Sequence, residues 1–207
     1  MALHRFSPIT WIRRGLFTWI CVAGVANGKS LPAPVSALLP TAAELRTYTV
    51  SKGTCTFVAI GNPGFLRING EGGKPTGTWK REGTTILKEA EIRLPLAGFS
   101  TGIDKRDEHM RDKYLQIAKY PDAVLKVDRF SWNTQQLPEK ADLPATLTLH
   151  GITKPMTVPI VVKNQGKEIA ATSDFTLLLS DFGIEIPSFA GLTMAKEVSV
   201  HVELTFL

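Results

Sequence analysis

The chain has 207 residues, 24 Lys plus Arg against 19 Asp plus Glu, a net charge of +5 and 43% hydrophobic residues. These figures describe one globular domain with or without a tail, and they exclude a collagen-like, wholly disordered or multi-span membrane chain. The basic excess raises a nucleic-acid reading that depends on where the positive charges sit.

The N-terminus explains part of that excess. Residues 1–14 hold Arg5, Arg13 and Arg14 and no acid, and residues 15–28 carry no charge. Such a run is shorter than the roughly 20 residues that span a bilayer. A basic stretch, a short apolar core and small residues beyond it read as a cleaved secretory signal over 1–26, with Gly24 and Ala26 at the cleavage positions. Residues 27–45, with prolines at 32, 34 and 40, read as a Pro/Ala-rich linker. Removing the signal takes the 24 basic residues to 21 against 19 acidic, and the net charge from +5 to +2. No basic stripe remains to follow a phosphate backbone, so no nucleic-acid partner is expected. Cys55 is then the one cysteine left, which precludes an intramolecular disulfide or a two-thiolate zinc site. It falls in an apolar run and is expected to be buried and inert.

The folded domain is placed at 46–207, where the dominant period is two. The predicted strands are 47–51, 54–61, 65–69, 75–82, 90–94, 123–132, 143–149, 158–162, 168–180 and 198–206. In the last, Val198, Val200, Val202, Leu204 and Phe206 alternate with Ser199, His201, Glu203 and Thr205. Gly70-Glu71-Gly72-Gly73 reads as a hairpin turn. Many short strands with little helix predict a mainly β fold, a sandwich or a closed antiparallel barrel. An apolar last strand that pairs with the first removes both edges and favours the barrel. Residues 104–119 break the pattern. Met110, Tyr114, Ile117 and Ala118 form one apolar helical stripe, Asp104 is the expected N-cap, and Pro121 ends the helix. One amphipathic helix among strands suits a lid at the barrel mouth.

Two chemical readings arise at this segment. Gly98-Phe99-Ser100-Thr101-Gly102 matches G-x-S-x-G, and Ser100 with Asp174 or Asp181 and His201 would form a hydrolase triad. That motif belongs to a parallel sheet with crossover helices, which this pattern lacks. Asp104, Asp107, Glu108, His109 and Asp112 are close in sequence, but they spread around a helix among Arg106, Arg111 and Lys113. They read as a solvated, salt-bridged face, not a metal site.

The run Ser100-Thr101-Gly102-Ile103-Asp104-Lys105-Arg106-Asp107-Glu108-His109-Met110-Arg111 is followed by Lys119-Tyr120-Pro121 and by Leu149-His150-Gly151-Ile152-Thr153-Lys154-Pro155. In this order and spacing they resemble the YceI family of bacterial polyisoprenoid-binding proteins, over about Tyr48 to Leu207. The resemblance implies an antiparallel lipocalin-like β-barrel around a long apolar cavity. It implies a non-enzymatic carrier without cofactor or metal, periplasmic or secreted, whose partner is an isoprenoid lipid or a prenylated quinone. The membrane enters only as the source of lipid, and a homodimer is left open. Strand parity then assigns Ile92, Leu94, Leu125, Val127, Leu147, Leu149, Val200 and Val202, with Met110, to the interior. Arg106 and His109 are candidates for a polar head group at the mouth; Arg106 pairing with a neighbouring carboxylate to fix the helix is the competing reading. The alternatives to a lipid carrier are a serine hydrolase through Ser100, and a structural or protein-interaction module with a solid core.

Overall fold

A computed structural model describes residues 44–207 apart from 63, 65, 84–85, 132–138 and 190–191. The signal and most of the linker read from the sequence lie outside the described residues. In chain order the elements are β1 (Leu45–Asn62), β2 (Arg67–Glu71), β3 (Thr76–Glu82), β4 (Ile86–Pro95), α1 (Asp104–His109), β5 (Asp122–Val127), β6 (Phe130–Ser131), β7 (Lys140–Leu149), β8 (Ile152–Gln165), β9 (Glu168–Leu178), β10 (Ser188–Phe189) and β11 (Leu192–Phe206).

Eight of these close an antiparallel barrel in the order β1-β3-β4-β5-β7-β8-β9-β11, and β11 pairs back onto β1. The closing ladder runs from Val50↔Phe206 through Cys55↔Val202 to Ala59↔Val198. This is the first-to-last pairing expected from the apolar alternation of β11, and it removes the sheet edges along that seam. β2, β6 and β10 are short additions to β1, β4 and β11.

Bulges set which residues face inward. Across Val50/Lys52 the register slips at Ser51. Tyr48 and Val50 therefore pack inward at even positions, whereas Cys55, Phe57 and Ala59 line the interior at odd ones. An extra residue on one strand reverses the alternation beyond it. On β4 the register slips at Lys88, so Leu87 and Ala90 both point in.

Prolines mark where the wall is unpaired. The β8–β9 ladder covers Val161–Gln165 and stops short of Pro155 and Pro159. A proline has no N–H to give to a neighbouring strand, so it fits where no neighbour asks for one. There Ser173 Oγ donates to the Pro159 carbonyl at 2.7 Å, and the 3-10 turn Leu179–Phe182 follows β9.

The two ends of the barrel differ. At one, Tyr48 stacks on Trp79 with centroids 4.4 Å apart, and Trp79 meets Phe206 edge-on at 6.2 Å. Leu87, Leu143, Val162 and Ile169 complete this cluster. At the other, Leu96, Leu147, Leu149, Phe182 and Ile184 form a second cluster, against which Tyr114, Leu115 and Ile117 pack.

Three expectations about local structure are corrected. Gly70–Gly73 is not a hairpin turn: β2 pairs with the second half of β1, β3 with the first half, and Glu71 bridges to Ser100. The glycines serve a close backbone approach instead, since a Cβ on Gly98 would lie 2.5 Å from the Gly73 Cα. The helix is also shorter than 104–119. It is α-helical over Asp104–His109, becomes a single π turn over Met110–Tyr114, and ends before Gln116 at φ 49°. Arg111 donates from Nη1 to the Phe99 carbonyl at 2.9 Å, tying the segment to the preceding loop inside this wide turn. Of the expected stripe, Met110, Tyr114 and Ile117 are part-buried, and Ala118 is exposed. Finally, Asp104 is not the cap. Ile103 holds that position without a side-chain bond, and Asp107 ties the helix back to the Thr101 N–H in the loop before it.

Candidate functional site: the barrel cavity and its clasp

The barrel encloses a cavity of about 720 Å³, inside the range of roughly 300–1,000 Å³ usual for small-molecule sites. It runs from Trp79 and Phe206 at the aromatic end to Ile103 and His109 beside α1. The space exists because several inward positions carry small side chains: Ala59 on β1, Ala90 on β4, Ala123 on β5, and Ala171 and Ser173 on β9. Each leaves unfilled the volume that a Leu or Phe would occupy in a solid barrel.

All eleven residues picked from the sequence border this space: Ile92 and Leu94 on β4, Leu125 and Val127 on β5, Leu147 and Leu149 on β7, Val200 and Val202 on β11, and Arg106, His109 and Met110 on and after α1. The sequence reading missed the whole β1 contribution, because the Ser51 bulge hides its parity. It also missed β8 and β9, although the spacing of Val158, Ile160 and Val162 was visible. Lys105 was missed as well, being indistinguishable in sequence from the other charges of α1.

Cys55 is buried and lines the cavity. Burial pushes its thiol up to about 11, so it is a thiol at neutral pH, as its apolar context suggested.

The motif residues assemble into a clasp at the α1 end. Asp107, only 3% exposed, accepts from Ser100 Oγ at 2.7 Å, from the Thr101 N–H at 2.7 Å, and from the Thr101 hydroxyl. The Thr101 oxygen accepts in turn from Arg106 Nε at 2.6 Å, and Arg106 Nη2 donates to the Thr101 carbonyl at 2.9 Å. Burial pushes the Asp107 carboxyl up, but the bonds from Thr101 and Ser100, with the Arg111 charge, outweigh it and hold it below the usual carboxylate range. The face expected here is solvated at Asp104, Glu108, His109 and Asp112, all exposed. It is corrected at Asp107, which is buried, and in its salt bridges, since no ion pair forms on α1 among the described residues. Arg106 fixes the loop through Thr101, not through a carboxylate.

The hydrolase constellation is not assembled. Ser100 Oγ is spent on Asp107 and on accepting the Gly102 N–H. His201 lies on the outer face between the inward Val200 and Val202, with Nδ1 2.7 Å from Asp174 and Nε2 3.3 Å from Glu203. The Asp174 bond raises the His201 pKa, against partial burial and with help from Glu203. Ser100 is also absent from the positive-φ residues, so it lacks the strained backbone of a nucleophile elbow.

The second motif closes on the third. His150 and Gly151 have φ of 51° and 75° between the paired Leu149 and Ile152, which is a type I′ hairpin turn. The Tyr120 ring meets His150 edge-on at 4.7 Å, and a Cβ on Gly151 would lie 2.4 Å from that ring. His150 Nδ1 also bonds the Phe182 carbonyl at 3.0 Å. Gly151→Ala is expected to lower unfolding free energy by about 2–3 kcal/mol, from the left-handed backbone plus the ring clash. In a Tyr120→Ala background the added cost should fall to the backbone part, roughly 1–2 kcal/mol. Equal costs in both backgrounds, measured by urea unfolding, would remove Tyr120 from the explanation.

Residues 48–206 match the YceI-like domain family. The chain belongs to that family. Among curated relatives, UPF0312 proteins of Pseudomonas savastanoi pv. phaseolicola and Pseudomonas syringae pv. syringae are each 33% identical over 116 residues, 52% of this chain and 58% of theirs. The chain thus spans little more than half the length of the curated relatives it matches. Among solved structures, a polyisoprenoid binding domain from Saccharophagus degradans, implicated in plant cell wall breakdown, superposes with a TM-score of 0.62 at 20% identity. That match covers 77% of this chain and 97% of the other. Burkholderia cenocepacia BcnA gives 0.62 at 17% identity, covering 74% and 95%. At these identities the structures establish the shared lipocalin-like barrel. The clasp and the Tyr120–His150–Gly151 contact show what the YceI-like motifs do in this chain. They hold the α1 segment and the β7–β8 hairpin at one end of the barrel.

Proposed function

We propose that this YceI-like protein is a non-enzymatic carrier that holds a long apolar lipid of isoprenoid type inside its barrel. The observation that carries the reading is the cavity of about 720 Å³, walled by aliphatic and aromatic side chains from all eight barrel strands. An apolar chain placed there gains about 25 cal/mol for each Å² removed from water, and no catalytic group is needed. The Saccharophagus degradans neighbour, a polyisoprenoid binding domain, supports the same ligand class. We further infer that the protein works outside the cytoplasm, from the basic and then apolar residues 1–26, and that membranes serve it as a lipid source.

Protein purified without detergent is expected to release a prenyl lipid on solvent extraction, detected by mass spectrometry at a fixed ratio to protein. Delipidated protein should take up a prenylated quinone or prenyl alcohol from vesicles. Absence of both the extracted lipid and the uptake would overturn the carrier reading in favour of a binding or structural module of another kind.

A further inference from the structure

The barrel wall is split between β8 and β9. Their ladder ends at the pair Val161↔Thr172. From there Ile152–Ile160 pair with β7 alone, and Ser173–Leu178 with β11 alone. The unpaired run on β9 is about 20 Å of strand at 3.3 Å per residue. Ser173 Oγ reaches across the split to the Pro159 carbonyl at 2.7 Å.

The stretch that follows β9 reaches both sides of the split. Its 3-10 turn, Leu179–Phe182, touches β8 as well as β9. Leu179, Ile184 and Pro187 border the cavity, as do Val158 and Ile160 of β8 and Phe175 and Leu177 of β9. Phe182 and Ile184 are buried with Leu147 and Leu149, and Met156 of β8 packs against the same cluster. Ser180, Asp181 and Glu185 are exposed. This part of the wall is therefore closed by side chains and not by a backbone ladder.

The stretch is held lightly. Gly183 and Ile184 give their N–H groups to the Ser180 and Leu179 carbonyls, within the stretch itself. Its ends are fixed where Leu178 pairs with Glu197, and where the Pro187 carbonyl accepts from the Met194 N–H at 2.9 Å. Between those ends, His150 Nδ1 bonds the Phe182 carbonyl at 3.0 Å. A carbonyl only accepts, so Nδ1 is the donor. His150 Nε2 is buried and makes no second bond among the described residues, so the latch is single. Segments with few backbone bonds to their neighbours open locally at low cost. Opening here breaks one hydrogen bond and lifts Phe182 and Ile184, whereas opening a paired junction breaks a ladder.

We propose that residues 179–187 are a side flap latched by His150, and that an apolar tail enters and leaves the barrel laterally, through the split between β8 and β9, when the flap swings out. This rests on the carrier reading above and adds the route. A tail laid in from the side need not be threaded lengthwise past the clasp and α1. The flap opens for entry and for release alike, so it sets the two rates and not the affinity.

Uptake of geranylgeraniol from a cyclodextrin stock, and its release into excess phosphatidylcholine vesicles, would be timed by the fluorescence of Trp79, which borders the cavity. His150→Asp keeps a turn-forming residue before Gly151 but sets an acceptor against the Phe182 carbonyl. His150→Asn has the same shape and can donate. The Asp variant is expected to speed uptake and release together by about three- to tenfold, the range of one hydrogen bond, with Kd unchanged. The Asn variant should stay close to the wild type. Phe182→Ala, which removes a buried anchor that does not border the cavity, should also speed both. In lipid-free wild type, the Gly183 and Ile184 amides should exchange with solvent at least roughly a hundredfold faster than those of Val200 and Val202 in the closing ladder. That measurement decides alone if His150→Asp does not fold. Rates that do not differ between the Asp and Asn variants, or flap amides that exchange no faster than the ladder, overturn the flap and leave the carrier reading standing. Folded wild type that takes up no geranylgeraniol overturns both.

Discussion

Ala171→Phe is expected to cut lipid uptake by between tenfold and roughly a thousandfold while leaving the protein folded. Ala171 lies on β9, pairs with Leu204 and Val162, and borders the cavity. A phenyl ring there takes about the room of one isoprene unit, and each displaced carbon is worth about 0.8 kcal/mol of burial to the ligand. In a solid core the same change would cost about 1–3 kcal/mol of overpacking. In a cavity wall the ring enters open space and gains its own burial, so the urea midpoint should hold or rise. The neighbouring Ala170→Phe, which points to the outer face, is the control and should leave uptake unchanged. Undiminished uptake by a folded Ala171→Phe variant would mean that lipid does not occupy the barrel interior.

The second large effect is at the clasp. Asp107→Ala is expected to lower unfolding free energy by about 3 kcal/mol, because it removes the buried carboxylate that accepts three hydrogen bonds from Ser100 and Thr101. The cost lies in bonds that Asp107 shares with these donors, so it should not add to the cost of removing them. Ser100→Ala in the Asp107→Ala background should cost far less than in the wild type. The folded-state pKa of Asp107 is depressed, so its contribution is fully present above the unfolded value of about 3.9 and is lost as pH falls through the lower folded value. The wild type should therefore show an acid-dependent loss of stability that Asp107→Ala lacks. Matching stability profiles for the two proteins from pH 7 down to acid would show that the clasp carries no weight.

The hydrolase reading of Gly98–Gly102 shows how a short motif misleads without its surroundings. The same five residues that spell a nucleophile elbow build a turn whose serine and threonine hydroxyls serve a buried aspartate seven and six residues on. Spacing alone does not distinguish these roles. What does is whether the serine reaches a histidine, and here the histidine lies on the outer wall beside Asp174.

Much of the barrel was legible because its strands obey a local rule. Alternation along β4, β5, β7 and β11 tells inside from outside without any partner, since successive side chains leave a strand on opposite faces. The same rule failed on β1, where one extra residue at Ser51 reverses the faces in a way that only the register with β11 reveals. It also failed on the helix: the apolar spacing from Met110 to Ala118 suits a long α-helix, yet Arg111 reaches the Phe99 carbonyl and the turn widens there. Tertiary bonds override a local preference worth only a few tenths of a kcal/mol per residue.

By itself, then, the sequence determined a mainly β fold, favoured the closure of the last strand on the first, and gave the part of the apolar wall that lies on β4, β5, β7 and β11. All of these follow from periodicity and residue type. Only the tertiary structure decided that the interior is hollow, because a cavity is a volume left over when residues such as Ala59, Ala90 and Ala171 face one another across the barrel, and no single strand carries that information. Only the tertiary structure likewise separated the charges of α1, burying Asp107 in the clasp and turning Lys105, Arg106 and His109 toward the mouth. In sequence they are five charges and a histidine in a row; the difference among them is which face of one short helix meets the barrel.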